Sequence, residues 1–130
     1  MSYGMAAALQ TAIYATLSAD PRLSGLVHDA LPEGELPETY VRLGPEEVRE
    51  ASDREGGGAL HRFTVSVISG AAGFAGAKDL AGAVCDRLED APPVLARGRI
   101  VGIWFERAKA GTSGGLRRID LRFRARLEDN

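Results

Sequence analysis

Two histidines, one cysteine and a dense run of carboxylates are the residues of this 130-residue chain with chemistry to offer. A metal site needs several His, Cys or carboxylate ligands at characteristic spacing. Neither His28 nor His61 has such neighbours, so no metal is expected. Cys85 adjoins Val84 at the edge of an apolar stripe, which suits a small buried hydrophobe. The sequence does not by itself exclude a Cys–His nucleophilic pair, and nothing in its spacing supports one. Glu46, Glu47, Glu50, Asp53 and Glu55 are numerous enough for paired acid–base work. They fall in a polar stretch expected to be mobile, whereas carboxylate catalysis needs rigid, partly desolvated positions. Gly70, Gly73 and Gly76 follow an expected strand and open an expected helix, as phosphate-binding turns do. They match neither G-x-G-x-x-G nor a P-loop, and small residues that allow close helix–sheet packing account for them equally well. No catalytic residue, cofactor or metal ligand is expected.

Charge is the stronger signal. From Asp29 to Glu55 nine carboxylates face three arginines, whereas from Arg97 to Arg126 nine basic residues face only Glu106 and Asp120. The total is only −2. Much of the positive charge lies on one segment, where Ile119, Leu121, Phe123, Ala125 and Leu127 alternate with Asp120, Arg122, Arg124 and Arg126. Period-two alternation sends the apolar set to one sheet face and the arginines to the other. Two readings of that arginine face stand side by side. Cross-strand pairing with Asp120 and Glu106, or plain solvent exposure, is one, and exposed pairs contribute only about 0–1 kcal/mol each. The other is a contact between one subunit's arginines and the next subunit's acidic loop, a head-to-tail arrangement that closes into a ring when its rotation allows.

Length and composition fit one globular domain with a sizeable core. No apolar stretch approaches the roughly 20 residues needed to cross a bilayer. The first residues lack the basic region of a signal peptide. A single cysteine fits a reducing compartment, so synthesis in the cytoplasm without membrane attachment is expected. Only Lys78 and Lys109 are lysine, against fourteen arginines, and Ala and Gly are abundant. That composition fits a GC-rich genome. The slightly acidic total argues against general nucleic-acid binding.

The elements that must position these residues follow from periodicity. Met5, Leu9, Ala12, Ile13 and Leu17 form a helical stripe. Asp20-Pro21 suggests the cap and first turn of a short second helix carrying Leu23, Leu26 and Val27. Thr39 to Leu43 reads as a short strand and 44–59 as a long irregular loop. Leu60 to Ile68 returns to strand, and Phe74 to Leu88 is a second long helix. Val94 to Ala96 suggests a short strand. Arg99 to Glu106 and the arginine segment are strands joined through a flexible connection at 109–115. The expected fold is α+β, a mostly antiparallel four-stranded sheet with both long helices packed on one face.

The segment Ala8-Leu9-Gln10-x-Ala12-Ile13-Tyr14-Ala15-x-Leu17-x-Ala19-Asp20, followed by Leu23 and Leu26-Val27, resembles the start of a known family. These are the tail terminator, or tail completion, proteins of long-tailed phages and gene transfer agents. Tyr40-Val41-x-Leu43-Gly44 and Phe63-x-Val65-x-Val67 leading to Gly73 and Ala77 add to the resemblance. Arg117-Arg118-Ile119 through Phe123-Arg124-Ala125 to Glu128 completes it. The matches span most of the chain in order, mainly at core and turn positions. The composition leans toward the gene transfer agent type.

The resemblance implies a structural, non-enzymatic protein of the particle's head–tail junction. It implies a homohexameric ring that caps the head-proximal end of the tail tube and stops its polymerisation. Its partners would be further copies of itself, the tail tube protein and the neck proteins of the filled head, with DNA passing through the channel without sequence-specific binding. The family brings no catalytic residues. For this chain, Glu46, Glu47, Arg49 and Arg54 are expected in a loop ordered against a neighbour or the tube. Arg118, Arg122, Arg124 and Arg126 are expected at a subunit contact or facing the channel. Another neck component, adaptor or stopper, and a stand-alone α+β ligand-binding module are the alternatives.

Overall fold

The computed structural model describes residues 3–31, 33–52, 57–90 and 92–129. Helix α1 (Ala6–Ser18) forms on the expected stripe and buries Leu9, Ala12, Ile13 and Leu17. Just past its C-terminus, at Asp20-Pro21, the Asp20 carboxylate accepts hydrogen bonds from the Arg22 backbone N–H at 2.9 Å and from its guanidinium at 3.0 and 2.9 Å. Those bonds hold the Asp20 pKa down at about 2. Helix α2 (Ala75–Asp90) buries Ala77, Ala81, Val84 and Leu88, its small residues letting it approach the sheet closely.

Between the helices in sequence lie β1 (Val27–His28), β2 (Thr39–Glu50) and β3 (Gly58–Ser69); β4 (Arg99–Ser113) and β5 (Leu116–Glu128) follow α2. The sheet order is β1-β2-β3-β5-β4. β1 runs parallel to β2, with Val27 opposite Val41, and every other pairing is antiparallel. Both helices share one core with Val41, Leu43, Phe63, Val65, Val67, Ile119, Leu121, Phe123 and Leu127. Phe123 is the centre of an aromatic row, its ring 5.5 Å from Phe63 and 5.8 Å from Phe105.

This sheet corrects the expectation of a mostly antiparallel four-stranded one: among the described residues it has five strands and is mixed. The missed strand is β1, two residues long and too short to display alternation. Residues 20–26 form successive turns rather than a second helix, and Gly25, at φ 78°, diverts the backbone into β1. Most of the described residues in 44–59 are strand, because β2 continues to Glu50 and β3 begins at Gly58, while 53–56 lie outside the described residues. A register shift between Leu43 and Glu46, across Gly44-Pro45, reverses which face the side chains take. Such a bulge tolerates proline and breaks the period-two pattern, so the sequence reads as irregular there. Likewise β4 runs to Ser113, leaving Gly114-Gly115, at φ 58° and 80°, as the whole turn to β5. Positive φ at both turn residues matches the right-handed twist of a two-residue hairpin. Residues 94–96 form no strand.

Candidate functional site: the arginine face of the sheet

The helices cover one face of the sheet, and register assigns the other. Reading across the strands, Arg42 of β2, Ser66 of β3, Asp120 of β5 and Lys109 of β4 stand in one row. The next row holds Thr64, Arg122 and Arg107, and the one beyond it Glu47, Arg62, Arg124 and Trp104. Arg118, Arg126 and Arg49 lie on the same face in flanking rows. Alternation on β5 thus gives the arginine face that the sequence indicates, and β2, β3 and β4 widen it.

The structure sorts these cations by what they touch. Arg118 donates to Asp120 at 2.8 Å, and Ser66 donates to the same carboxylate oxygen at 2.6 Å. The Asp120 carboxyl is held below its usual range by these donors and nearby cations, which outweigh its desolvation. Arg62 donates to Glu106 at 3.2 Å, and Arg49 to Glu47 at 3.0 Å. Arg126 donates to the Ala51 carbonyl at 2.8 Å, tying β5 to the end of β2. The Arg124 guanidinium stacks 5.1 Å over the Trp104 ring. Arg42, Arg107, Lys109 and Arg122 make no ion pair among the described residues.

The acidic residues expected to face a partner part company. Glu47 joins the arginine face and pairs with Arg49 there. Glu46, beyond the bulge, sits on the helix side opposite Phe63. It accepts a hydrogen bond from the Tyr3 hydroxyl and lies 3.8 Å from His61 Nδ1. Arg54 lies outside the described residues. Arg42, Arg107 and Lys109 were not among the expected site residues. The Tyr40/Arg42 alternation carries a signal for the first, whereas the register shift between Phe105 and Arg107 hides the other two.

Little here can do covalent chemistry. Burial pushes the Cys85 thiol up to about 11, so it carries almost no thiolate near neutrality. His61 is fully buried and neither ring nitrogen has a hydrogen-bond partner among the described residues. Burial lowers its pKa, the Glu46 carboxylate opposing only in part. No group of three His, Cys, Asp or Glu that could hold a metal occurs among the described residues. At Gly76 an added Cβ would meet nothing within 4 Å, so close packing does not require glycine there.

The far edge of the sheet is open. β4 is 15 residues long and exposed over most of its length, with Val101, Trp104 and Phe105 each more than two-fifths exposed. Among the described residues no strand lies beyond β4, so none pairs with the backbone groups on its outer side. The charged face thus lies beside an exposed strand edge.

Residues 11–128 match the family model described as tail completion protein gp17. The chain belongs to the tail completion protein family. No curated protein matches it. Among solved structures, this tail completion protein is similar to a chain of the virion of a native gene transfer agent particle. The two are 54% identical, with a TM-score of 0.91 over 98% of this chain and 99% of the other. No helix among the described residues is long and apolar enough to cross a membrane.

Proposed function

We propose that this tail completion protein is the tail terminator of a phage-like particle of the gene transfer agent type. The observation that carries the reading is the family match over residues 11–128, and the near full-length similarity to a gene transfer agent virion chain supports the particle type. In this reading six copies close into a ring on the head-proximal end of the tail tube. One ring face complements the last tube ring; the other offers no site for a further tube subunit and receives the neck proteins of the filled head. DNA passes through the channel without sequence-specific contact. The protein acts structurally, at the head–tail junction of a particle assembled in the bacterial cytoplasm.

The physical demands of that task fit the surface described above. A durable ring needs interfaces of roughly 1,000 Å² or more, supplied by surfaces the monomer leaves uncovered. The arginine face and the β4 edge are such surfaces. Electron microscopy of particles from a strain lacking the gene tests the reading. Filled, tailless heads beside overlong or unattached tubes are expected, and normal tailed particles would refute it.

A further inference from the structure

Resting on the terminator reading only for the particle in which it is tested, we propose that Arg42, Arg107, Lys109 and Arg122 form a patch that receives the acidic connection 33–38 of a second copy of this chain.

The four cations are close together because of sheet register. Arg42 and Lys109 share one row with Ser66 and Asp120, and Arg122 and Arg107 share the next. Neighbouring strands lie about 4.8 Å apart and successive same-face residues about 7 Å apart, so the cluster spans about 15 Å. The one carboxylate inside it, Asp120, is already engaged by Ser66 and Arg118. A depression of about 240 Å³ bordered by Pro45, Thr64, Arg107, Lys109 and Arg122, though not by Arg42, offers room for a few inserted groups. Lys109, opposite Asp120, shares part of that carboxylate's charge, so the patch keeps a net positive charge within the subunit.

The compensating charge is on the same chain, in another place. Glu33, Glu35 and Glu38 are exposed, and no basic residue lies between Asp29 and Glu38. None of the three glutamates makes an ion pair among the described residues. Each copy thus carries an unsatisfied cationic patch and an unsatisfied anionic segment that do not meet each other. Two different patches that pair between copies make a head-to-tail contact, the kind that generates rings. Leu36, 37% exposed beside Glu35, adds an apolar contact to the docking segment. Nucleic-acid phosphate is the poorer fit. The patch is compact, about 15 Å across, rather than a track along which a nucleic-acid backbone could run.

Charge reversal in assembling particles tests the proposal. Arg107→Glu with Arg122→Glu on one hand, and Glu35→Arg with Glu38→Arg on the other, are each expected to lower the yield of normal tailed particles about tenfold or more, since like charges facing across a contact are strongly unfavourable. Combining all four changes restores the yield. Thermal melting of each purified variant confirms that it folds. In a Cys85→Ser background, one copy carrying Glu35→Cys and another carrying Lys109→Cys are expected to form a disulfide-linked pair within particles. Unchanged yield for either reversal, no rescue by the combination, or no cross-link would overturn the proposal. Loss from the arginine reversal alone would mean that the patch meets a different anion, such as nucleic acid. The cross-link is read independently of tube length, so a failed terminator reading and a failed docking contact give different results.

Discussion

Acid should weaken this fold in a window set by one buried ring. His61 sits on β3 between Val48 and Ala125, fully buried, with both nitrogens unpartnered among the described residues. Removal from water is the main cause of its lowered pKa, and the Glu46 carboxylate 3.8 Å away offsets only part of it. The unfolded chain, with an ordinary histidine pKa of about 6.5, therefore takes up the proton first as pH falls. The histidine's contribution is complete above about pH 7 and is lost as pH drops from about 6.5 toward the folded value. One proton changes stability by at most about 1.4 kcal/mol per pH unit, which limits the loss to about 1 kcal/mol between about pH 7 and pH 5.5. With a urea slope of about 2 kcal/mol/M, the midpoint should fall by about 0.5 M. The assay is urea unfolding of dilute protein at half-unit pH steps, beside His61→Leu. Ordinary carboxylates titrate mainly below this window. The leucine variant should hold a constant midpoint there. Near neutrality it should equal or exceed the parent by about 1 kcal/mol, because two unpartnered polar atoms are gone. A parent midpoint that stays flat, or a leucine variant that falls in parallel, would refute the reasoning.

Phe123→Ala should cost about 3–5 kcal/mol in the same assay, because Phe123 is fully buried and both Phe63 and Phe105 lose their ring contact. Val94→Ala, at a side chain 93% exposed, should change stability by less than about 0.5 kcal/mol. The glycines separate in the same way. Gly98→Ala combines φ 74° with a Cβ that would approach Met5 Sδ to 2.5 Å and the Glu128 carbonyl oxygen to 2.7 Å, so a loss of about 2 kcal/mol or more is expected. Gly82→Ala, facing open space in the middle of α2, should raise the melting temperature through a helix-propensity gain of about 0.5–1 kcal/mol.

Local periodicity fixed much of this protein before any contact was known. The stripe Leu9, Ala12, Ile13, Leu17 specifies α1, and Ala77, Ala81, Val84, Leu88 specifies α2, because helical spacing puts those residues on one side whatever they meet. Alternation from Ile119 to Leu127 separates core from arginines on β5 for the same reason. The family, too, was legible, since its matches lie at core and turn positions spread along the chain. Tertiary structure decided the rest. A bulge at Gly44-Pro45 turns Glu46 toward His61 while Glu47 joins the arginines, although the two residues are adjacent. β1 exists only because β2 offers it hydrogen bonds, as two residues cannot hold a strand alone. Which arginines stay uncompensated depends on pairs such as Arg62–Glu106 and Ser66–Asp120, 44 and 54 residues apart in sequence. Periodicity is a property of neighbouring residues and survives only while register is unbroken; charge compensation is set by cross-strand register, which no local pattern encodes.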